Sequence, residues 1–208
     1  MEKLLNDEME TQIKEMFNHL EDNVVITLYK DNNEGSELTY KLMDEISNLS
    51  NKIKLDTIEY NDETKKNDNI YSAPAFYVSK NSNIKSGLFY GVPAGHEINT
   101  LLSTLIDIST NNPLYDEDTI NEINKINKKT NIKVFVTTQC PHCPGAAINA
   151  LRLASLNENI KSEVYEVHSN MEIANKYNVS GVPKIVINET NELVGNQPIN
   201  EFLKVINK

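Results

Sequence analysis

The strongest constraint on the fold is an order of predicted elements that occurs twice along the chain. Runs with apolar residues at helical spacing alternate with short β-branched or aromatic runs, as in VVITLY at residues 24–29. The order in each copy is α, β, α, β, α, β, β, α. In the first copy, the pattern places seven of these eight elements, all but the third helix, at residues 8–20, 24–29, 38–49, 51–60, 73–78, 84–90 and 94–108.

The second copy follows a break near Pro113. Its elements are predicted at residues 116–128, 132–137, 143–156, 162–167, 171–177, 182–188, 192–195 and 198–206. A chain of 208 residues is long enough for two small domains. We therefore predict one unit at residues 1–113 and another at residues 114–208.

Proline positions support the duplication. Ala73-Pro74 in the first copy matches Val182-Pro183 in the second, each at the start of a strand. A right-handed crossover makes the first two strands of each copy parallel, and the last two strands form a hairpin. Each copy is thus predicted to be an α/β unit with a mixed central sheet flanked by helices.

The stretch TTQCPHCPGA at residues 137–146 contains both cysteines of the chain, Cys140 and Cys143. It falls where a predicted strand gives way to a helix, so Cys140 is expected at or just before the helix N-terminus. The helix dipole and charge-assisted hydrogen bonds would lower the pKa of the Cys140 thiol and make it the nucleophile. Cys143 is then within bonding distance and is predicted to be the resolving thiol.

Two other interpretations of the cysteine pair stay open. A structural zinc site needs four ligands, and the sequence has no second CxxC and no HxxxH to complete one. A buried pair with no chemical role is the other alternative. The strand-to-helix position of the motif favours redox chemistry over both.

Together with GVPKIVIN and FYGVPAGHEINTLL, the motif TTQCPHCPGA resembles the glutaredoxin-like protein disulfide oxidoreductases, in which two thioredoxin folds are fused. The likeness covers nearly the whole chain. The chain is also similar to the paired thioredoxin-like units at the front of the flavoprotein that reduces bacterial peroxiredoxin. In both families the second unit is the active one. The resemblance therefore implies two tandem thioredoxin-like units and a protein disulfide oxidoreductase, an enzyme of dithiol–disulfide exchange.

The first unit departs from this family pattern. Family members often carry a second CxxC where this chain reads YKDNNEGSEL, and Asn33 and Ser36 stand at the corresponding positions. The first unit is therefore expected to be unable to exchange disulfides. These residues are predicted to form a helix-capping loop with Ser36 as the N-cap. Pro74 is expected to be the degenerate copy of Pro183.

The resemblance also implies a substrate-binding position opposite the cysteines. In thioredoxin folds the proline that opens this strand is cis and faces the CxxC, and Pro183 occupies that position. The backbone of Val182 is then free to pair with an extended substrate. Glu166 lies on the strand predicted beside the active one, where it is a candidate for a buried carboxylate that moves protons to Cys143. Exposure to solvent is the alternative for Glu166.

Pro141 and His142, between the cysteines, are predicted to tune the pair. A protonated His142 would stabilise the thiolate and so favour the reduced form. The CPHC sequence resembles that of the periplasmic disulfide oxidant, whose potential is about −120 mV against about −270 mV for thioredoxin. We predict a potential on the order of −200 mV, between those values. No cofactor is expected beyond the Cys140–Cys143 disulfide itself.

Charge and composition limit the partners. The formal net charge of −10 argues against nucleic acid and anionic membrane surfaces, which require a basic patch. The charged N-terminus lacks the apolar run of a signal peptide, so a cytoplasmic location is expected. Protein disulfides or thiols are the predicted partners, and the resemblance adds a thioredoxin-reductase-type flavoprotein and a peroxiredoxin. Two alternatives stay open: a dedicated electron carrier between those two proteins, and a redox-silent binding or chaperone module.

Overall fold

The computed structural model of the protein describes residues 3–80, 84–110 and 115–208. The helices among them are α1 (Asp7–Phe17), α2 (Glu34–Ser47), α3 (Asp62–Asn67), α4 (Ile98–Ser109), α5 (Glu117–Asn124), α6 (Cys143–Leu156), α7 (Met171–Lys176) and α8 (Ile199–Ile206). The strands are β1 (Val24–Lys30), β2 (Ile53–Glu59), β3 (Ala75–Lys80), β4 (Ile84–Lys85), β5 (Leu88–Tyr90), β6 (Thr130–Val136), β7 (Ile160–Glu166), β8 (Lys184–Ile187) and β9 (Asn191–Val194). The predicted boundary between residues 113 and 114 lies outside the described residues.

The predicted order of elements is confirmed in both copies, with two differences in the first. The run at residues 84–90, predicted as one strand, is divided into β4 and β5. Helix α3, which no apolar pattern marks, begins at an Asn61 capping box in which Thr64 completes the reciprocal bond. Its side chains are not buried, which explains why hydrophobic periodicity did not place it.

All the described strands belong to one sheet, which the sequence did not predict. The main path runs β2-β1-β3-β5-β7-β6-β8-β9, and β4 pairs with β3. The first four of these strands come from the first copy and the last four from the second. The two copies meet where β5 pairs in parallel with β7, with Phe89 opposite Val164. Backbone hydrogen bonds therefore continue from one unit into the other.

Strand directions bring corresponding ends of the two copies to one edge of the sheet. Strands β1, β5, β6 and β7 point the same way, because β1 and β5 are each antiparallel to β3 and both β5 and β6 are parallel to β7. The loops after β1 and β6 therefore lie along the same edge. This edge carries YKDNNEGSEL in the first copy and TTQCPHCPGA in the second.

The two faces of the sheet are covered unequally. One face packs against α1, α2, α4, α5, α6 and α8 around a large aliphatic core that includes Val134 and Val136. The opposite face packs against α7 and the chain after α3, around a smaller cluster that includes Phe135. The alternation at residues 134 to 136 follows the period of two expected for a strand buried on both faces. Among the described residues, no helix is long and apolar enough to cross a membrane.

Candidate active site

The candidate site begins where β6 ends at Val136 and α6 begins at Cys143. Within the loop between them, the Cys140 N–H donates to the carbonyl oxygen of Thr137, and the Cys143 N–H donates to that of Cys140. These turns bring the two cysteines together, with their Cα atoms 5.4 Å apart, and a disulfide joins them. Cys140 thus lies just before the helix start, as the sequence predicted.

The two sulfur-bearing residues differ in accessibility. Cys143, the first residue of α6, is fully buried, whereas Cys140 is half-buried at the surface. Attack on an external disulfide needs an accessible sulfur, and the residue that can be reached is Cys140. The sulfur of Cys143 belongs to a fully buried residue and is bonded to that of Cys140.

Pro141 and His142 are both exposed on the outside of this turn. His142 is the N-cap residue of α6 and makes no capping bond through its side chain. Pro144, in the first helical turn, has no N–H, which removes one of the amide donors that a helix start offers to an anion. The positive end of the α6 dipole still lies at this turn.

The residues predicted to receive substrate lie against Cys140. The carbonyl oxygen of Val182 is 3.8 Å from the Cys140 Sγ. The Val182-Pro183 peptide bond is cis, and so is Ala73-Pro74 in the first unit. The expectation of a cis proline at this position, drawn from the resemblance, is thus confirmed.

Glu166 is buried, with 3% of its surface exposed. It is the last residue of β7 and pairs with Val136 at the end of β6. Its carboxylate is already occupied by the loop that follows β7. One oxygen accepts from the His168 N–H and lies 2.9 Å from the His168 Nδ1, and the other accepts from the N–H and Oγ of Ser169. The structure therefore gives Glu166 a role in shaping this loop, while its predicted proton transfer to Cys143 stays a prediction.

A second buried carboxyl at the site, Glu97, was missed by the sequence analysis. It belongs to the first unit, at the end of a 3₁₀ turn (Gly95–Glu97) that leads into α4 and contacts α6. Glu97 is 0% exposed. Its Oε2 accepts from the Thr100 Oγ1 at 2.7 Å, and its Oε1 has no hydrogen-bond partner within the part of the chain that the structure describes. Burial, with a contribution from the negative charge of Glu166, raises the pKa of Glu97 to about 7.

Backbone contacts hold this carboxyl next to the cysteine loop. The His96 N–H donates to the carbonyl oxygen of Thr138 at 2.8 Å. Gly95 has a positive φ of 58°, and a Cβ atom on it would lie 2.3 Å from the same carbonyl oxygen. Only glycine permits so close an approach here. No local pattern could have revealed Glu97, because it is 43 positions before Cys140 and resembles an ordinary first-turn acid.

The corresponding site of the first unit is filled by polar side chains. Asn33, and not Ser36 as predicted, is the N-cap of α2, and its Oδ1 accepts from the Ser36 N–H at 2.8 Å. Ser36 is instead buried in the first turn, where its Oγ donates to the Asp31 carboxylate at 2.7 Å. The Asn33 Nδ2 donates to the Ala73 carbonyl at 3.4 Å, as the Cys140 Sγ faces Val182 in the second unit. Asn33 and Ser36 thus occupy the two cysteine positions.

Clusters of metal-ligating side chains bear on the zinc alternative. The described residues contain no group of three or more His, Cys, Asp or Glu side chains placed to hold a metal ion. Cys140 and Cys143 are joined to each other.

Residues 130–208 match the family model described as a thioredoxin domain. The fold of this part of the chain is that of thioredoxin. Solved structures extend this fold to the whole chain. The alkylhydroperoxide reductase AhpF of Enterococcus faecalis, as a C503A mutant, superposes with a TM-score of 0.90 at 22% identity, covering 98% of this chain and 100% of that chain. The protein disulfide oxidoreductase of Aeropyrum pernix superposes with a TM-score of 0.85 at 23% identity, covering 98% of this chain and 94% of that chain. The fold class predicted from the sequence is confirmed.

A curated relative of this chain is the NADH dehydrogenase of Bacillus subtilis, which is 23% identical over 201 residues. The aligned part is 96% of this chain but 37% of the relative. The chain therefore spans little more than a third of the length of that relative. A thioredoxin fold with a disulfide at its CxxC supports thiol–disulfide redox chemistry.

Proposed function

We propose that the protein is a thiol–disulfide oxidoreductase that exchanges disulfides with protein substrates, with Cys140 as the attacking residue and Cys143 as the resolving residue. The observation that carries this proposal is the disulfide between a half-buried sulfur and a fully buried one at a helix start. Pro141 and His142 would tune this pair from the exposed turn, and Val182 and Pro183 would receive an extended substrate beside Cys140.

The reaction starts from the dithiol. The Cys140 thiolate attacks a substrate disulfide, the substrate S–S bond breaks, and the first substrate thiolate leaves and takes a proton from solvent. Cys143 then loses its proton and attacks Cys140, and the second substrate thiolate leaves. The substrate gains two electrons and two protons, and the protein ends in the oxidised form seen here. A donor dithiol returns it to the reduced form by the reverse steps.

The second step needs a base, because Cys143 is buried away from water. Glu97 is the carboxyl placed for this task, since it is buried in a turn that contacts α6, and the N–H of the preceding His96 donates to Thr138 in the cysteine loop. With a pKa raised to about 7, the Glu97 carboxyl can both accept and return a proton near neutral pH. Its Oε1, which has no partner among the described residues, is the atom free to do so.

Two single-cysteine variants test the assignment of roles. Reduced Cys143→Ser should capture a disulfide substrate as a stable mixed disulfide on Cys140, whereas Cys140→Ser should capture none. The reduction of insulin in the presence of dithiothreitol should be lost in both variants. Unchanged insulin reduction by Cys140→Ser would contradict the proposal and favour a redox-silent binding module.

A second candidate, within the same chemistry, is electron transfer from a flavoprotein reductase to a peroxiredoxin. The relatives favour it, because one is named an NADH dehydrogenase and another an alkylhydroperoxide reductase. Reduction of the protein by NADPH or NADH with a thioredoxin-reductase-type flavoprotein, and then of a peroxiredoxin by the protein, would support this role. Reduction by glutathione alone would point to the more general oxidoreductase.

A further inference from the structure

We propose that the ion pair between Asp107 and Arg152 has a positioning role in this reaction. It fixes the position of helix α4 along its axis relative to helix α6, and so holds Glu97 beside Cys143. The inference rests on the proposed thiol–disulfide function. It concerns a contact near the far ends of the two helices, away from the reacting atoms.

The pair joins the two units by two hydrogen bonds to one oxygen. The Arg152 Nε and Nη2 donate to the Asp107 Oδ2 at 2.9 and 2.7 Å. The two side chains are only 14% and 11% exposed. A pair so buried is held in one geometry, unlike an ion pair on an open surface, whose side chains move freely.

Sequence spacing connects this contact to the site. Asp107 follows Glu97 by ten residues along α4, and Arg152 follows Cys143 by nine along α6. At about 1.5 Å per helical residue these spacings span about 15 Å and about 13.5 Å. Both helices begin at the edge of the sheet that carries the cysteine loop. Because the ion pair fixes Asp107 against Arg152 near the C-terminal ends of the two helices, it also fixes the axial position of Glu97 relative to Cys143 at their N-terminal ends.

The residue types suit this task. Arg152 is the only arginine in the sequence. Its guanidinium group carbon also lies 5.3 Å from the centre of the Tyr115 ring, and the Tyr115 hydroxyl donates to Asn149 on α6. A planar guanidinium can bond and stack in one fixed orientation, whereas a lysine ammonium cannot.

The test separates positioning from a merely structural role. The reduced protein is mixed with 5,5′-dithiobis(2-nitrobenzoate), so that Cys140 releases one thionitrobenzoate and the attack of Cys143 releases the second. The rate of the second release is measured against pH for wild type, Arg152→Met, Arg152→Lys and Asp107→Asn. Each Arg152 change is also made in a Glu97→Gln background. Lys133→Met, which breaks a different ion pair, to Glu189, is the matched control.

We expect Arg152→Met to slow the second release by up to about 10²-fold, as for a misplacement of about 1 Å, and to flatten its pH dependence near neutrality. Arg152→Lys should be intermediate. In the Glu97→Gln background the same change should alter the rate less than about twofold, because the group being positioned is already absent. Lys133→Met should leave the second release unchanged.

Equal slowing by Arg152→Met in both backgrounds, or no slowing in either, would overturn the proposal. Should Arg152→Met fail to fold, Asp107→Asn, which keeps the shape of the side chain, gives the same comparison. A wild-type protein that releases only one thionitrobenzoate would overturn the proposed function itself, and that result is distinct from an unaltered Arg152→Met profile.

Discussion

The backbone N–H of His96 donates to the carbonyl oxygen of Thr138 at 2.8 Å. His96 belongs to the unit without cysteines, and Thr138 lies two positions before Cys140. The bond therefore ties the start of α4 in one unit to the cysteine loop of the other. Because Glu97 is the next residue after His96, the redox-silent unit supplies a buried carboxyl to the candidate site.

Glu97→Gln should change how the second step depends on pH. In wild type, the rate of disulfide formation by Cys143 should rise as pH passes through about 7, because the carboxylate that accepts the proton is then formed. The Gln side chain cannot take up this proton, so the rate should fall by about 10² to 10⁴ at neutral pH and rise only at alkaline pH. Stopped-flow release of thionitrobenzoate measures this step, with Glu158→Gln, at an exposed position, as the control.

The same substitution should remove a pH-dependent loss of stability. A carboxyl whose pKa is raised from 4.5 in the unfolded chain to about 7 in the folded protein stabilises the fold fully below pH 4.5. As pH rises toward 7, the unfolded chain loses this proton while the folded protein keeps it. The free energy of unfolding should therefore fall, by about 3 kcal/mol in total, and change no further above that range.

Urea denaturation between pH 4.5 and 8 measures this effect. The difference in unfolding free energy between Glu97→Gln and wild type should grow in favour of the variant as pH rises. A constant difference across this range would show that Glu97 has the same pKa in both states. Glu158→Gln again serves as the exposed control, for which no such trend is expected.

Gly95→Ala should weaken the contact between the units. The new Cβ would lie 2.3 Å from the Thr138 carbonyl oxygen, and the φ of 58° is unfavourable for alanine. We expect a loss of at least about 2 kcal/mol in the free energy of unfolding, together with slower attack by Cys143 as Glu97 moves away. Gly181→Ala is the matched control, because a Cβ there has no atom within 4 Å. Equal effects of the two substitutions on urea denaturation would contradict this account.

The Cys140–Cys143 couple should have a potential on the order of −200 mV, since thiolate stabilisation favours the dithiol and each pKa unit is worth about 30 mV. His142 is exposed at the helix start, where its protonated form would favour the thiolate. His142→Ala should therefore shift the potential to a more negative value. Equilibration with glutathione buffers of known ratio measures both proteins. A wild-type value at or below that of thioredoxin, about −270 mV, would contradict the prediction.

The parts of this structure that sequence could predict are those encoded locally. Strand and helix periods placed most elements, and the CxxC after a predicted strand located Cys140 and Cys143 at a helix start. The pairing of β5 with β7 and the position of Glu97 depend on how two units meet, which no run of neighbouring residues encodes. The N-cap of α2 was assigned to Ser36 instead of Asn33 because both residue types cap helices. In the structure Asn33 caps the helix, and the Ser36 hydroxyl donates to Asp31, five residues earlier.

The first unit offers a last test, because Asn33 and Ser36 occupy the positions that cysteines hold in the second. In Asn33→Cys/Ser36→Cys, the two new sulfurs should form a second disulfide, so the reduced protein should show four thiols by titration.

The Asp31 carboxylate lies 2.7 Å from the Ser36 Oγ, and a negative charge this close disfavours a thiolate at that position. The reduced form of the engineered couple gains less from a thiolate than the native one does, so the engineered couple should be harder to reduce. Adding Asp31→Asn to the double variant should move its potential back toward the native value. Two couples that titrate at the same potential with Asp31 intact would contradict the electrostatic argument, and failure to form the second disulfide would contradict the equivalence of the two sites.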